Sequence, residues 1–268
     1  MLTFIKLGGS LITNKRVESS FRESVVVRLA QEVQAALVAD PELQILIGHG
    51  SGSFGHFAAH QFRTIEGVHT LEEWRGFAQV ATVAAELNDL VARILQGEGV
   101  PVWRIQPSAS VISRNHVIVQ MALEPLRQAL RHRLVPLVYG DVAIDEVLGG
   151  TIISTETVFF YLAQYLPVER ILLLGEVDGV YNQNKQAIPH ITPENFQAIK
   201  DALGGSAGVD VTGGMETKVR DMLALTQTLP NLSIRILNGN IPGLLQQTLL
   251  GQAQPGTLIH ANAERRES

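Results

Sequence analysis

Short apolar runs that end in glycine-rich turns, separated by longer segments of helical period, constrain this chain more than any other feature. Leu2–Leu7 ends in Gly8-Gly9-Ser10, and Gln44–Ile47 leads directly into Gly48-His49-Gly50-Ser51-Gly52-Ser53-Phe54-Gly55-His56. Val135–Tyr139 is followed by Gly140-Asp141. Val100–Ile105, Arg170–Leu174 and Ser233–Leu237 read as further strands. Between them, Glu23–Ala39 repeats apolar residues at Val26, Leu29, Val33 and Leu37, the spacing of one helix face. Leu71–Gln96 predicts a long helix with Trp74, Phe77, Ala81 and Ala84 on one face, and Glu216–Thr228 and Ile241–Leu250 predict two more. Strands alternating with helices predict an α/β protein with a mainly parallel sheet. In such sheets ligands sit beyond the carboxyl ends of the strands, which is where these glycine turns fall.

The 268 residues are 46% apolar, enough to bury a core as one large or two modest domains. No linker divides the chain, and a soft boundary falls near 145–165, where the glycine clusters change in kind. The net charge is −5 and no block of five like charges occurs, so a nucleic-acid partner held through its phosphates is not expected. The absence of cysteine excludes disulfides, Cys-ligated zinc and iron–sulfur clusters, and fits a reducing cytoplasm. Lys6 interrupts the first apolar run where a signal peptide would keep its core, so export is not expected. No stretch approaches the roughly 18 apolar residues of a membrane span, so no membrane association is expected either. The polar tail Asn262–Ser268 reads as frayed.

The glycine cluster after the second strand lets a backbone approach a ligand closely, and successive N–H groups form an anion nest. A helix starting near Phe54 would add its dipole. Residues 50–55 also match G-x-G-x-x-G. The dinucleotide reading needs an acidic residue about 20 positions on, at the end of a second strand, and here that stretch is Glu72-Glu73 inside a helical segment. His56 and His60 are four apart, but the Glu of H-E-x-x-H is missing and no third ligand is evident, so no metal ligands are assigned. His60 reads as a surface or packing residue, whereas His56, at the end of the nest, is placed to hold a phosphate. Lys6, inside an apolar strand, needs an anionic partner, which a structural ion pair would also satisfy. Lys15 follows the same turn, and Lys218 follows Gly213-Gly214. Either alone reads as a surface charge. Three lysines beside three glycine turns suggest one polyanionic ligand and phosphoryl transfer, which depends on positioning and positive charge. The P-loop and protein-kinase signatures are absent.

Lys6-Leu-Gly-Gly-Ser-Leu-Ile-Thr-Asn-Lys15, Gly52-Ser-Phe-Gly-His56, Val177-Asp-Gly-Val-Tyr181 and Asp210-Val-Thr-Gly-Gly-Met-Glu-Thr-Lys218 resemble the amino acid kinase superfamily. Within it they are similar to the isopentenyl phosphate kinase family, as are Ile105-Gln-Pro-Ser108 and Gly140-Asp-Val-Ala-Ile-Asp145. The resemblance implies a three-layer αβα sandwich, with residues 1–155 holding the acceptor and 156–268 the nucleotide. It implies transfer from ATP, with Mg²⁺, to isopentenyl phosphate, in a homodimer. It places Lys6 and Lys15 at the β- and γ-phosphates, Lys218 at the nucleotide phosphates and His56 on the acceptor phosphate. Gly8, Gly9, Ser10 and Gly52 would line the phosphate track, and Glu176, Tyr181 and Gly214 the nucleotide side.

Three positions depart from the family pattern. Gly50-Ser51-Gly52 replaces a triple glycine, and a main-chain contact at Ser51 requires a φ there that a serine tolerates. Ser154-Thr155-Glu156 replaces Ser-Gly-Asp, so the carboxylate that orients the lysines gains a methylene and Thr155 stands beside the acceptor. Gly175-Glu176 replaces Thr-Asp on the nucleotide side. The helix Leu71–Gln96 falls where the family builds the pocket for the organic tail. Most of its face reads as core, with one bulky residue limiting the tail length. A kinase for another small phosphate or phosphonate, such as fosfomycin, would need a polar pocket there. A non-catalytic nucleotide-binding sensor or storage protein would bind ATP without transfer.

Overall fold

The first strand, β1 (Leu2–Leu7), is buried along almost its whole length, as a strand covered on both faces must be. It turns through the short α1 (Gly9–Ile12) into α2 (Glu23–Ala39), after which β2 (Gln44–His49) runs into α3 (Gly52–Phe62). The long α4 (Leu71–Gly97) starts at a capping box: Thr70 Oγ1 accepts from the Glu73 N–H, and the Glu73 carboxylate accepts from the Thr70 N–H at 2.8 Å. Three short strands follow, β3 (Val102–Arg104), β4 (Ile112–Arg114) and β5 (Val117–Gln120), then α5 (Glu124–Arg131) and β6 (Val135–Tyr139). The hairpin of β7 (Asp141–Asp145) and β8 (Gly149–Ile153) leads to α6 (Thr155–Ala163) and β9 (Val168–Gly175). Beyond it lie β10 (His190–Ile191), α7 (Pro193–Leu203), α8 (Gly214–Thr228), β11 (Ser233–Asn238), α9 (Leu244–Leu249) and β12 (Thr257–Ile259). This computed structural model describes residues 1–14, 16–203 and 214–261. Lys15, the stretch from Asp210 to Gly213 and the tail from Asn262 lie outside the described residues.

Among the described residues, eight strands form one sheet in the order β10-β12-β11-β9-β1-β2-β6-β3, parallel throughout except for β11 against β12. Alternation along the strands splits the core in two. Leu2, Phe4, Leu46, Val138 and Ile171 face Val158, Phe159 and Leu162 of α6 and Val219 and Leu223 of α8. Ile5, Leu7, Ile45, Ile47 and Leu172 face α2, Leu87, Val91 and Leu95 of α4, and Leu245 of α9. The result is the expected three-layer αβα sandwich with a mainly parallel sheet, and its first 155 residues share that sheet with the rest.

A second sheet, in the order β5-β4-β7-β8, stands beside the first. Asp145 joins its parts. Its buried carboxylate accepts from the N–H groups of Asn115 (3.0 Å), His116 (3.0 Å), Val147 (2.9 Å) and Leu148 (2.9 Å), and from the Ser113 hydroxyl (2.8 Å).

Several element bounds differ from expectation for local reasons. The strand expected over 100–105 shrinks to β3, because Pro101 has no N–H to give a ladder. The helix expected over 241–250 starts later, after Gly243 at φ +77. Buried Glu32 of α2 accepts there from the N–H groups of Gly243, Leu245 and Gln246. On α4 the fully buried stripe is Val80, Ala84, Leu87, Val91 and Leu95, while Trp74, Phe77 and Ala81 are half-buried. The first turns of α4 lie against the small sheet, where Trp74 and Phe77 meet edge-on at 5.1 Å. A side chain at Gly150 would collide with the Phe77 ring.

Candidate active site

The turns that follow β1 and β2 touch back to back. A Cβ on Gly9 would lie 2.7 Å from the Gly52 nitrogen, and one on Gly50 would lie 3.0 Å from the Gly9 nitrogen. The Gly8 N–H donates to the Leu174 carbonyl at 2.8 Å and the Gly50 N–H to the Leu7 carbonyl at 3.0 Å, which ties both turns to the sheet. Gly52 has φ +52 and no room for a side chain beside Thr13. Ser51, by contrast, sits at φ −70, ψ −16, a conformation open to any residue, so serine in place of the family's glycine introduces no backbone strain. Its side chain rests on Gly55, where a Cβ would approach to 2.5 Å. The helix α3 thus begins inside the nest, and its first-turn N–H groups have no intrahelical acceptor.

Thr13 clamps the two turns together and was missed in the sequence. Fully buried, it donates its hydroxyl to the Gly9 carbonyl (2.7 Å) and accepts from the Ser53 N–H (2.9 Å). Thr13→Val keeps the shape and strands that N–H. It should cost about 1–2 kcal/mol, read by calorimetry as a fall of about 2–8 °C in melting temperature. An unchanged melting temperature would show that the clamp carries no stability.

Lys6 occupies the same face of β1 as Leu2 and Phe4, the face covered by α6. There its ammonium pairs with Glu156 in the first turn of α6. Burial pushes the Glu156 carboxyl up, but the Lys6 charge, its hydrogen bond and the nearby Lys218 outweigh this and hold it below its ordinary value. Lys6, Glu156 and Lys218 therefore share one site, reached from β1, α6 and α8. Gly214 opens α8. Ser10 is half-buried within α1. His56 is exposed on the second turn of α3, and His60 is exposed in its last turn. Thr155 is buried, and its hydroxyl donates to the His49 carbonyl at 2.6 Å, so that hydroxyl is occupied inside the protein rather than at the acceptor. Glu176 accepts from Arg22 at 2.7 Å, linking the turn after β9 to the start of α2. The Tyr181 hydroxyl accepts from the Asp178 N–H at 3.1 Å, and Asn238 holds the Asp178 carboxylate at 2.8 Å. Asp178 lies inside the motif of residues 177–181 but carried no role of its own in the sequence, and Asn238 was not singled out, because nothing local marks it. Among the described residues no group of three or more His, Cys, Asp or Glu is arranged to hold a metal ion.

Glycine loops at the carboxyl ends of parallel strands, with two lysines around a shared carboxylate, are the features of a phosphate-handling α/β protein. Residues 1–238 match the amino acid kinase family, and the chain belongs to that family. Within it, the chain is 33% identical over 265 residues to the isopentenyl phosphate kinase of Methanocaldococcus jannaschii, covering 97% of this chain and 98% of that one. It is 32% identical to the isopentenyl phosphate kinase of Methanothermobacter thermautotrophicus, over 96% of this chain and 98% of the relative. A solved isopentenyl phosphate kinase superimposes with a TM-score of 0.80 at 30% identity, over 97% of this chain and all of that one.

Proposed function

We propose that this chain is an ATP-dependent kinase that converts isopentenyl phosphate to isopentenyl diphosphate. Two observations underlie the reading: the Lys6–Glu156 pair beside Lys218 at the interlocked glycine turns, and relatives of that activity that match nearly the whole chain. Residues 1–155 take the acceptor and 156–268 the nucleotide. An oxygen of the acceptor phosphate attacks the γ-phosphorus of ATP. The new P–O bond forms as the bond to the β–γ bridging oxygen breaks, and ADP leaves with that electron pair. A phosphate monoester has a second pKa of about 6 and is already an anionic nucleophile at neutral pH, so no general base is required. The work of the protein is to neutralise charge on the transferring group.

Lys6, Lys15 and Lys218 supply positive charge along the phosphates, with Glu156 fixing the aim of Lys6. The main chain of Gly8, Gly9, Ser10 and Gly52 lines the track. His56, exposed at the mouth of the nest, grips the acceptor phosphate. Trp74 and Phe77, apolar and half-buried, suit a prenyl tail better than a small polar phosphonate. Tyr181, Glu176 and Gly214 lie on the nucleotide side. Mg²⁺ belongs to this reading as the counter-ion of the nucleotide, held mainly by phosphates and water, which needs no protein cage. When bound, it would neutralise phosphate charge. A homodimer belongs to the reading by resemblance, and a cytoplasmic location from the absence of cysteine. No described helix is long and apolar enough to cross a membrane.

Release of ADP in ATP and Mg²⁺ with isopentenyl phosphate tests the reading. His56→Ala should lower kcat/KM about 100-fold, the cost of one donor to a reacting anion. Turnover unaffected by the substitution would keep the kinase and remove His56 from the acceptor. An intact, ATP-binding protein without acceptor-dependent turnover would sink the assignment.

A further inference from the structure

His49 ends β2, directly before the nest, and is completely buried. Its Nδ1 lies 3.1 Å from the Gly50 carbonyl and its Nε2 lies 3.0 Å from Asn88 Nδ2 on α4. An amide nitrogen only donates, so Nε2 accepts and the ring proton sits on Nδ1, aimed at Gly50. The opposite arrangement would set a lone pair of Nδ1 against the carbonyl oxygen. The ring stacks on Tyr139, with centroids 5.6 Å apart and planes within 6°, so its plane is fixed. Its own carbonyl is held by the Thr155 hydroxyl at 2.6 Å and the Gly140 N–H at 3.2 Å. Burial pushes the imidazole down to about 4, which keeps it neutral and preserves this pattern at working pH.

The Gly50 carbonyl shares a planar trans peptide with the Ser51 N–H, and the two point in opposite directions. A carbonyl held inward by His49 therefore aims the Ser51 N–H outward. No described residue accepts a hydrogen bond from that N–H. Gly50 has no side chain to resist rotation of this peptide, so its orientation must be held from outside. Rotated, it would present a carbonyl oxygen to an incoming phosphate.

We infer that His49 is a positioning residue: its Nδ1–H holds the Gly50–Ser51 peptide so that the Ser51 N–H is presented to the acceptor phosphate. The inference rests on the kinase reading above. It also gives Asn88, a buried polar residue on the core face of α4, a role: it fixes the tautomer of His49.

Three variants separate the two ring contacts. His49→Phe keeps the stacking on Tyr139 and removes both hydrogen bonds. His49→Gln reaches the position of Nε2 and leaves Gly50 unheld. His49→Asn places an amide N–H where Nδ1 was. We expect His49→Phe and His49→Gln to raise KM for isopentenyl phosphate about 10–100-fold, the worth of one hydrogen bond to a charged group, with KM for ATP little changed. His49→Asn should recover most of that loss. Equal damage in all three, or a matching rise in KM for ATP, would overturn the inference, because a general folding defect falls on both substrates. Should the variants fail to fold, ¹⁵N NMR of the wild-type ring decides. An Nδ1–H tautomer supports the inference, and an Nε2–H tautomer overturns it. Wild-type protein that turns over no phosphate acceptor but shows the Nδ1–H tautomer would sink the kinase reading and leave the peptide clamp in place.

Discussion

Lys6→Met is expected to lower turnover by about 10³-fold or more, because on the proposed reading it removes a fixed positive charge from the phosphates, where charge stabilisation is most of the catalysis. The same substitution strips Glu156 of its partner, and that has a separate signature. In the wild type the Glu156 carboxyl is held below its ordinary value, with burial opposed by Lys6 and Lys218. A depressed pKa contributes stability above the unfolded value, about 4.3, and that stability is lost as pH falls through the folded value. Without Lys6, burial dominates and the carboxyl rises above its unfolded value. Ionisation then favours the unfolded chain, so the stability of Lys6→Met should fall as pH rises from about 4.3 towards neutrality. Lys6→Met/Glu156→Gln should lose that slope and keep the defect in turnover. Melting temperature against pH, measured beside ADP release, checks both. Turnover of Lys6→Met within about tenfold of wild type would remove Lys6 from the phosphate track. A pH slope equal to that of the wild type would show that the ion pair does not form in solution.

The parts of this fold that were legible are those whose signal is local. β1, α2 and β6 have the bounds their apolar spacing predicts, since each buries one continuous face or run. The glycine turns were legible as points of close backbone approach, because only glycine permits the contact between residues 8–9 and 50–52. Glu156 lies 150 positions from Lys6. No periodicity connects the two, and the carboxylate was found through resemblance to a family motif. His49 was hidden for a different reason. In a run of glycines and serines it reads as one more nest residue, and its partner Asn88 lies 39 positions on, inside α4. The small sheet was not legible at all, because its strands are three to five residues long and polar in places. Its first hairpin turns on Asn115-His116, without the glycine that usually marks such a turn.

That turn makes a large loss of stability the expected result of replacing Asp145. Asn115 (φ +49) and His116 (φ +70) both adopt the left-handed region, as a two-residue hairpin requires, and for non-glycine residues each costs about 1–2 kcal/mol. The Asp145 carboxylate offsets this by accepting from both of their N–H groups, and it also accepts from Val147 and Leu148 at the next turn. Burial pushes this carboxyl up, but the N–H groups of Leu148, His116 and Val147 and the Ser113 hydroxyl outweigh it, and it lies well below the usual range. Asp145→Asn would turn an amide N–H₂ towards some of these donors. It should therefore cost about 2–4 kcal/mol, seen in urea unfolding as a lower midpoint at unchanged m-value. The sign with pH is the depressed-carboxylate one. The contribution is complete above the unfolded value of about 3.9 and is lost as pH falls below it towards the folded value. Wild-type stability should drop over that acid range and Asp145→Asn should lack the Asp145 share of the drop. Because the small sheet packs on α4 beside Trp74 and Phe77, the variant should weaken isopentenyl phosphate more than ATP. Equal midpoints for wild type and variant, with the acid slope retained in both, would remove Asp145 as the junction of the two hairpins.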